Sequence, residues 1–278
     1  MSDRRIRTRR ITAILSWFLV IVAGGCQPGT MILRTNATLS KEIDVFGVRI
    51  LASSRTPDEK VLHAARVMAE YLDNNEDGIA DHQLVVDALV QGEAYLIMFR
   101  DESEERSFTG PYPTGVGQNL YAEETIPNGA RMGVFDATLE EVLHLITHAG
   151  YASAYPSVFG EMAGSSLADA MDTARGGQFM QVPSTYPPDA WYTYDDTTCD
   201  YACQITEYIY WAITSILGGQ DFPGRLEEIE DEWRPNTSAT LQAQDPAVFQ
   251  LLTDTQYSLP TRLPDGNYDA INLSISNN

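Results

Sequence analysis

The amino-acid sequence predicts an α+β fold that is rich in helix and contains a small mixed sheet. Strand-like apolar runs occur in the first half of the chain, in "VFGVRILAS", "EAYLIMF" and "GQNLYAEET". Amphipathic helical patterns lie between these runs and after them. Loops rich in Pro and Gly, such as "TGPYPTGVG", separate the elements, and no internal repeat is visible. We therefore expect one domain rather than a repeat array.

The helices carry recognisable start and stop signals. The segment "TPDEKVLHAARVMAEYLD" begins with Thr56 as a predicted N-cap, Pro57 at the first helical position and Glu59 completing a capping box. A second helix is predicted in "HQLVVDALV". A long third helix in "CDYACQITEYIYWAITSIL" is predicted to end at Gly218 and Gly219. The C-terminal stretch "LPTRLPDGNYDAINL" is expected to lie along the surface.

The composition and charge of the chain narrow the range of expected binding partners. The chain has 278 residues and a formal net charge of −21. Nucleic acid is therefore not an expected partner, because binding to phosphate needs clustered Lys and Arg. The acidic surplus suits cation binding, and it also has the simpler explanation of solubility.

The N-terminus has the character of an export signal. Five arginines precede the apolar run "ITAILSWFLVIVAGG". The following "AGGC" resembles the lipobox of bacterial lipoproteins, which implies a signal at residues 1–26 and lipid on Cys26. Residues 27–45 would then be a tether and residues 46–278 the folded domain. The expected location is the cell envelope, facing the periplasm or the surface, with the lipid as the membrane partner. The alternative is an uncleaved N-terminal membrane anchor.

Two further cysteines form an even pair in an exported chain. Cys199 and Cys203 stand in "TTCDYACQ", and a disulfide is the default outside the reducing cytosol. Their spacing argues against a bond, because four residues at a helix start place the Cα atoms in the upper part of the bridging range. Metal binding by this pair alone is less favoured, since no second pair exists.

The loop at residues 73–84, "DNNEDGIADHQL", places acidic or amide side chains at alternate positions and Gly78 at the sixth. Carboxylates two residues apart on a tight loop converge, and the loop joins two predicted helices. The segment resembles an EF-hand, which implies calcium as a cofactor. The ligands implied by this resemblance are Asp73, Asn75, Asp77, Ile79 and Asp81.

The same loop departs from the EF-hand pattern in two places. Leu84 occupies the position of the bidentate glutamate, and Ala80 that of a branched apolar residue. A nearby acid such as Asp87 would have to replace the missing ligand. The alternative is a polar turn that caps the next helix.

The segment "ATLEEVLHLITHAGY" at residues 137–151 is patterned as an amphipathic helix. At 100° per residue, Glu140, Glu141, His144 and His148 share one stripe, while apolar side chains occupy the other side. The plain interpretation is an exposed helix face that begins with a capping box of Thr138 and Glu141. The competing interpretation is a metal site, because histidines at i and i+4 can reach one ion.

Glu141 and His144 reproduce the second half of the HExxH signature, and the segment resembles the active-site helix of zincin metallopeptidases. The resemblance implies a zincin-like fold, zinc as cofactor, His144 as ligand and Glu141 as general base. Glu140 stands where the family has its first histidine. Glu207, the only acid in "TEYIYWAITSIL", resembles the ligand on the glutamate helix of gluzincins, in particular of the anthrax-lethal-factor branch.

Two registers of the metal site remain open. One uses Glu140 with His144, and the other uses His144 with His148. A straight helix separates Glu140 from His148 by about 12 Å, so both cannot reach one ion unless the helix bends. The acids Glu161, Asp169 and Asp172 are weaker alternatives to Glu207 as the third ligand.

The sequence thus supports two functional hypotheses. The first is an exported, lipid-anchored, metal-dependent hydrolase of peptidase type, active or inactive, that acts on a peptide substrate. The second is a non-catalytic calcium-binding surface lipoprotein whose acidic and histidine stripe is only a solvated helix face. The positions of His144 and Glu207 discriminate between them.

Overall fold

The structure is a computed structural model, and it describes residues 38–277. The predicted signal at 1–26 and the lipidation of Cys26 lie outside the described residues, as does most of the tether. Within 38–277, no helix is both long and apolar enough to cross a membrane.

The sheet has five strands in the order β4-β3-β2-β1-β5 and is mixed, as predicted. β1 pairs antiparallel with β2 and β5, whereas β2, β3 and β4 are mutually parallel neighbours. The strands are β1 Leu39–Val45, β2 Val48–Ser53, β3 Tyr95–Phe99, β4 Gly117–Tyr121 and β5 Ser276–Asn277.

Helices make up most of the remaining regular structure, so the α+β prediction is confirmed. They are α1 Asp58–Leu72, α2 Gln83–Gln91, α3 Glu102–Ser107, α4 Gly129–Met132, α5 Ala137–Leu145, α6 Ala152–Ala154, α7 Ser166–Ala174, α8 Tyr201–Ile216, α9 Arg225–Ile229, α10 Ser238–Gln244 and α11 Pro246–Leu252. A π-helical segment, Ile146–Tyr151, joins α5 to α6, and a 3₁₀ turn spans Thr255–Tyr257.

The main core lies between the sheet and helices α1, α5 and α8. Every residue of β3 is buried, because both faces of this central strand are covered. α8 is buried on almost all sides, from Tyr201 to Ser215. A helix that is apolar all round belongs in the interior of a domain. Any acid carried by α8 must therefore lie in the interior as well.

The predicted tether boundary is wrong for residues 39–45, which form β1. Ile43 and Val45 are fully buried, and β1 pairs with β2 along its length. The polar start of "LSKEIDV" is typical of a linker, but this stretch pairs with the C-terminal strand β5. The folded domain therefore begins before residue 46.

Two predicted helix caps are also wrong. α1 has Pro57 as its N-cap residue, and the Thr56 hydroxyl instead donates to the Met98 carbonyl at 3.1 Å. α5 is capped by Asp136, whose side chain accepts from the Thr138 backbone N–H at 3.1 Å. Asp136 stands just before the helix, so its carboxylate can accept from the first free backbone N–H groups, and the predicted cap by the Thr138 hydroxyl is not needed. The predicted end of the third helix is confirmed, since α8 stops just before a left-handed glycine at 218.

The C-terminal segment is held against the end of α1 by the side chain of Asn74. Its Oδ1 accepts from the backbone N–H groups of Thr261 at 2.8 Å and Arg262 at 2.9 Å. Its Nδ2 donates to the carbonyls of Arg262 and Glu70. One buried amide thus satisfies several backbone groups of a segment that has little regular structure.

We expect Asn74→Ala to lower the free energy of unfolding by about 2 kcal/mol, because it leaves these backbone groups without partners. Chemical denaturation followed by circular dichroism measures the change. Gln256→Ala, at an exposed position in the 3₁₀ turn just before this segment, is the control and should change stability little. Equal stability of the two variants would contradict this role for Asn74.

Candidate metal centre

α5 and α8 bring Glu140, His144 and Glu207 together. One ligand atom from each residue lies within 4.8 Å of the others, and this group can hold a metal ion. His144 Nε2 is 3.5 Å from Glu207 Oε2. The three side chains project from facing turns of the two helices. Two packed helices, and not a loop, therefore fix the geometry of the group.

The cluster is buried and its hydrogen bonding is incomplete. His144 is 1% exposed and Glu207 is 2% exposed, whereas Glu140 is half-buried. Neither ring nitrogen of His144, nor Glu207 Oε1, has a hydrogen-bond partner within the described part of the chain. Buried polar atoms without partners are costly and rare in folded proteins. One imidazole nitrogen and two carboxylates match the donor set of a divalent transition metal, so the residues present fit such an ion.

The electrostatics of the cluster follow from burial and crowded carboxylates. Burial, together with the nearby Glu207 carboxylate, raises the pKa of Glu140 well above its ordinary value. Burial alone would lower the pKa of His144, but Glu207 and Glu141 outweigh it and raise that pKa well above the ordinary value. Without a cation, the site therefore binds protons tightly.

Glu141 lies beside the cluster rather than within it. Its Oε2 is 3.6 Å from His144 Nδ1, and it accepts a hydrogen bond from Gln118 Nε2 at 2.5 Å. Gln118 belongs to the edge strand β4, so the sheet orients this carboxylate. Glu141 is buried, which contradicts the interpretation of the stripe as an exposed helix face.

Several residues around the cluster belong to no motif and were not identified from the sequence. Tyr210 packs edge-on against the His144 ring, with 5.4 Å between ring centroids. Glu232 accepts from Trp211 Nε1 at 3.1 Å, and burial, with a contribution from Glu207, raises the pKa of Glu232 to about 8. Tyr210 could have been found from its place one turn after Glu207. Glu232 could not, because it comes from a distant loop.

His148 does not join the cluster. Its Nδ1 is 2.6 Å from Glu161 Oε2, and Glu161 Oε1 accepts from the Thr206 hydroxyl at 2.7 Å. His148 stands in the π-helical segment, whose wider turn changes the direction of side chains after α5. The structure thus places Glu140, not His148, beside His144. The alternative third ligands Glu161, Asp169 and Asp172 are likewise outside the group.

The loop at residues 73–84 keeps an internal hydrogen-bond pattern around Asp73. The Asp73 carboxylate accepts from the backbone N–H groups of Asp77 at 3.2 Å and Gly78 at 2.8 Å, and from the Tyr268 hydroxyl at 2.5 Å. Gly78 has φ +86°, a left-handed conformation that favours glycine. This agrees with the sharp turn that the sequence predicts at this position.

The remaining predicted calcium ligands are less convergent. Asp81 accepts from the Asn74 N–H and from Asn75 Nδ2, and Asp77 accepts from the Ile79 N–H. Within residues 38–277, the carboxylates of this loop do not form a three-ligand group. Leu84 is exposed, and Asp87 bonds to Gln83 rather than reaching into the loop. Calcium binding here stays a prediction.

Cys199 and Cys203 lie at disulfide-bonding distance, with Cα atoms 5.3 Å apart. This separation falls inside the usual bridging range of roughly 4.4–6.8 Å. It is shorter than the regular-helix spacing that argued against the bond, because Cys199 precedes the N-cap residue Asp200 and is not helical. The pair closes the start of α8, one turn before Glu207.

Comparison with known protein families, with curated proteins and with solved structures finds no match for this chain. Functional inference therefore rests on the site itself.

We expect metal affinity to rise with pH. The raised pKa values of Glu140 and His144 mean that protons compete with the cation above the ordinary values of 4.5 and 6.5. As pH rises through the raised pKa of His144, this competition weakens. Calorimetric zinc titrations at about pH 6.5 and about pH 8, in buffers of different ionisation enthalpy, measure the affinity and the protons released. Equal affinity and no proton release would contradict this account.

The EF-hand-like loop gives a separate prediction. Calcium at about one hundred times its dissociation constant should raise the melting temperature by about 5 °C or more. Asp77→Ala should abolish the shift, because it removes one of the predicted ligand carboxylates, which otherwise accepts from the Ile79 N–H. Asp87→Ala, on α2, is the matched control. A calcium shift that survives Asp77→Ala would exclude this loop as its source.

Proposed function

We propose that this protein is a metal-dependent hydrolase of peptidase type, with a metal held by Glu140, His144 and Glu207. The observation that carries the proposal is a deeply buried histidine, enclosed by carboxylates from two helices, whose ring nitrogens make no hydrogen bond within the described residues. A divalent ion bound between these side chains would give the histidine and the carboxylates a common partner. The zincin-like architecture and zinc as the ion belong to this proposal.

Glu141 is the general base in the proposed reaction. A carboxylate that accepts one hydrogen bond from Gln118 keeps a further lone pair to take a proton from water. The bound ion would supply Lewis acidity that makes a peptide carbonyl more reactive towards that water. Glu140 and Glu207 hold the ion, and His144 completes the ligand set from the chain.

The N-terminal sequence supports an exported protein held at the cell envelope by lipid on Cys26. This part of the proposal rests on the arginine-rich start, the apolar run and the "AGGC" at residues 23–26. A disulfide-distance cysteine pair is consistent with an oxidising compartment.

A second candidate is a non-catalytic calcium-binding lipoprotein. It is favoured by the loop in which Asp73 and Gly78 take up the turn expected of an EF-hand. The two candidates differ in which substitution removes which metal.

Elemental analysis of the purified full-length protein tests the metal centre. We expect about one transition-metal ion per chain, lost in His144→Ala and weakened at least about tenfold in Glu207→Gln. His148→Ala is the matched control, because this histidine lies one turn further along but pairs with Glu161. Metal content that is unchanged by His144→Ala would refute the site.

Activity is tested separately with a mixture of peptides analysed by mass spectrometry. Glu141→Gln should retain the metal while lowering kcat/KM by about 10²- to 10⁴-fold, because it removes the base but not the ligands. A protein that binds the metal through His144 yet cleaves no peptide would leave metal binding standing and reject the hydrolase. Calcium alone, lost only in Asp77→Ala, would favour the second candidate.

A further inference from the structure

Glu232 places a carboxylate beside the metal cluster that the proposed ligand set does not use. It lies in the loop that follows α9, and its backbone carbonyl accepts from the Thr193 N–H at 2.8 Å. The next residue, Trp233, is fully buried and stacks on Trp211 of α8, with 6.4 Å between ring centroids. Trp211 stands one turn after Glu207. These contacts therefore hold Glu232 against the helix that carries the acidic ligand.

The Glu232 side chain is positioned by one hydrogen bond and keeps a free oxygen. Its Oε1 accepts from Trp211 Nε1 at 3.1 Å, and its Oε2 makes no hydrogen bond within residues 38–277. Glu232 is half-buried, as are Glu140 and Tyr194. A ligand can therefore reach this carboxylate from solvent, whereas His144 is closed off.

Tyr194 shows that these carboxylates surround a common space. Burial raises the pKa of the Tyr194 hydroxyl well above its ordinary value. The carboxylates of Glu207, Glu232 and Glu140 raise it further, so all three lie near this hydroxyl. The space beside the metal cluster is thus lined by negative charge and by an aromatic ring.

Glu207 offers a second buried acceptor next to Glu232. It is 2% exposed, its Oε2 lies 3.5 Å from His144 Nε2, and its Oε1 has no hydrogen-bond partner within the described residues. After burial, Glu207 contributes most to the raised pKa of Glu232, so the two carboxylates are neighbours. An ammonium or guanidinium group has several N–H donors and can bond to both.

A metal ion does not balance all of this charge. In the proposed site, Glu140 and Glu207 would offset the two positive charges of a divalent ion, which leaves Glu232 as an additional negative charge. The neighbouring cation, Arg225, pairs with Glu228 at 3.2 Å and makes no ion pair with Glu232 within the described chain. A half-buried carboxylate attracts a cationic group more strongly than an exposed one, because water screens it less.

We propose that Glu232 binds a basic group of the peptide substrate, either a lysine or arginine side chain or the free amino terminus. This inference rests on the proposed hydrolase and names its substrate class. An acidic group would be repelled by Glu232, and a neutral apolar group would leave its Oε2 without a partner. The ring of Tyr194 favours a cation as well.

The basic group lies close to the peptide bond that is cleaved. One turn of α8, about 6 Å, separates Glu207 from Trp211, which holds Glu232. An extended peptide advances about 3.4 Å per residue. The residue bound by Glu232 is therefore within about two residues of the scissile bond.

Matched short peptides test this inference with the zinc-loaded full-length protein. Three alanine-based peptides with capped ends carry lysine, norleucine or glutamate at the centre, and a fourth is the norleucine peptide with a free amino terminus. At about pH 8 the Glu232 carboxyl is partly ionised, and both kinds of amine keep much of their charge. We expect kcat/KM, measured by mass spectrometry, to be at least about tenfold higher for one of the two basic peptides than for capped norleucine. Which of the two is preferred identifies the source of the basic group.

Glu232→Gln should reduce this ratio to within about twofold, because the amide oxygen can still accept from Trp211 but the charge is lost. Glu230→Gln is the matched control, since it removes the same charge at an exposed position two residues earlier and should keep the wild-type ratio. Elemental analysis confirms that each variant carries zinc.

Failure of the hydrolase and failure of this inference are distinguishable. If no peptide is cleaved, the hydrolase is rejected, and calorimetric affinities of the zinc-loaded protein for the same four peptides supply the ratios. Equal values for basic and norleucine peptides, a preference for glutamate, or a preference that survives Glu232→Gln would each overturn the role of Glu232.

Discussion

The burial of His144 among three carboxylates is the constraint on which the functional part of this structure depends. α8 is apolar on nearly every side, so Glu207 is drawn into the interior with it. α5 packs against α8 and presents His144 to that acid at 3.5 Å. Isolated charges in such a place cost several kcal/mol each, and removing one partner costs more than replacing the whole group. A cation offsets this cost directly.

The balance of charge also bears on the chemistry. In the proposed site, the two carboxylates of Glu140 and Glu207 would neutralise a divalent ion, whereas the two histidines of an HExxH motif leave the ion with more positive charge. Such an ion would be held more firmly but would polarise a carbonyl less strongly. Glu141 adds a further negative charge nearby, yet its hydrogen bond with Gln118 orients its carboxylate. A metal in the proposed site would therefore be retained well at the expense of Lewis acidity.

Much of this site could be predicted from the sequence, because its residues lie at helical spacing within two short segments. Residues four apart lie on one face of a helix, so the spacing of Glu140 and His144 predicts that their side chains are neighbours. A single acid in an apolar helix, such as Glu207, is likewise visible in the sequence. The predictions that were wrong or left open concern features that the local sequence pattern does not reveal. The sequence predicts a tether over β1 because this segment starts polar, although it pairs with the neighbouring strand β2 and, at Lys41 and Glu42, with β5 at the other end of the chain. The choice between Glu140 and His148 depended on a π-helical segment, whose turn no periodicity reveals.

Asp136 shows why a single cap matters beyond its own helix. Its Oδ1 accepts from the Ile126 and Thr138 N–H groups and so fixes where α5 begins. Its Oδ2 contacts His63 Nε2. The register of α5 decides whether Glu140 and His144 face Glu207, since one residue of slippage turns the helix by about 100°. The same carboxylate therefore fixes the start of α5 and orients the His63 ring, which packs against Gly266.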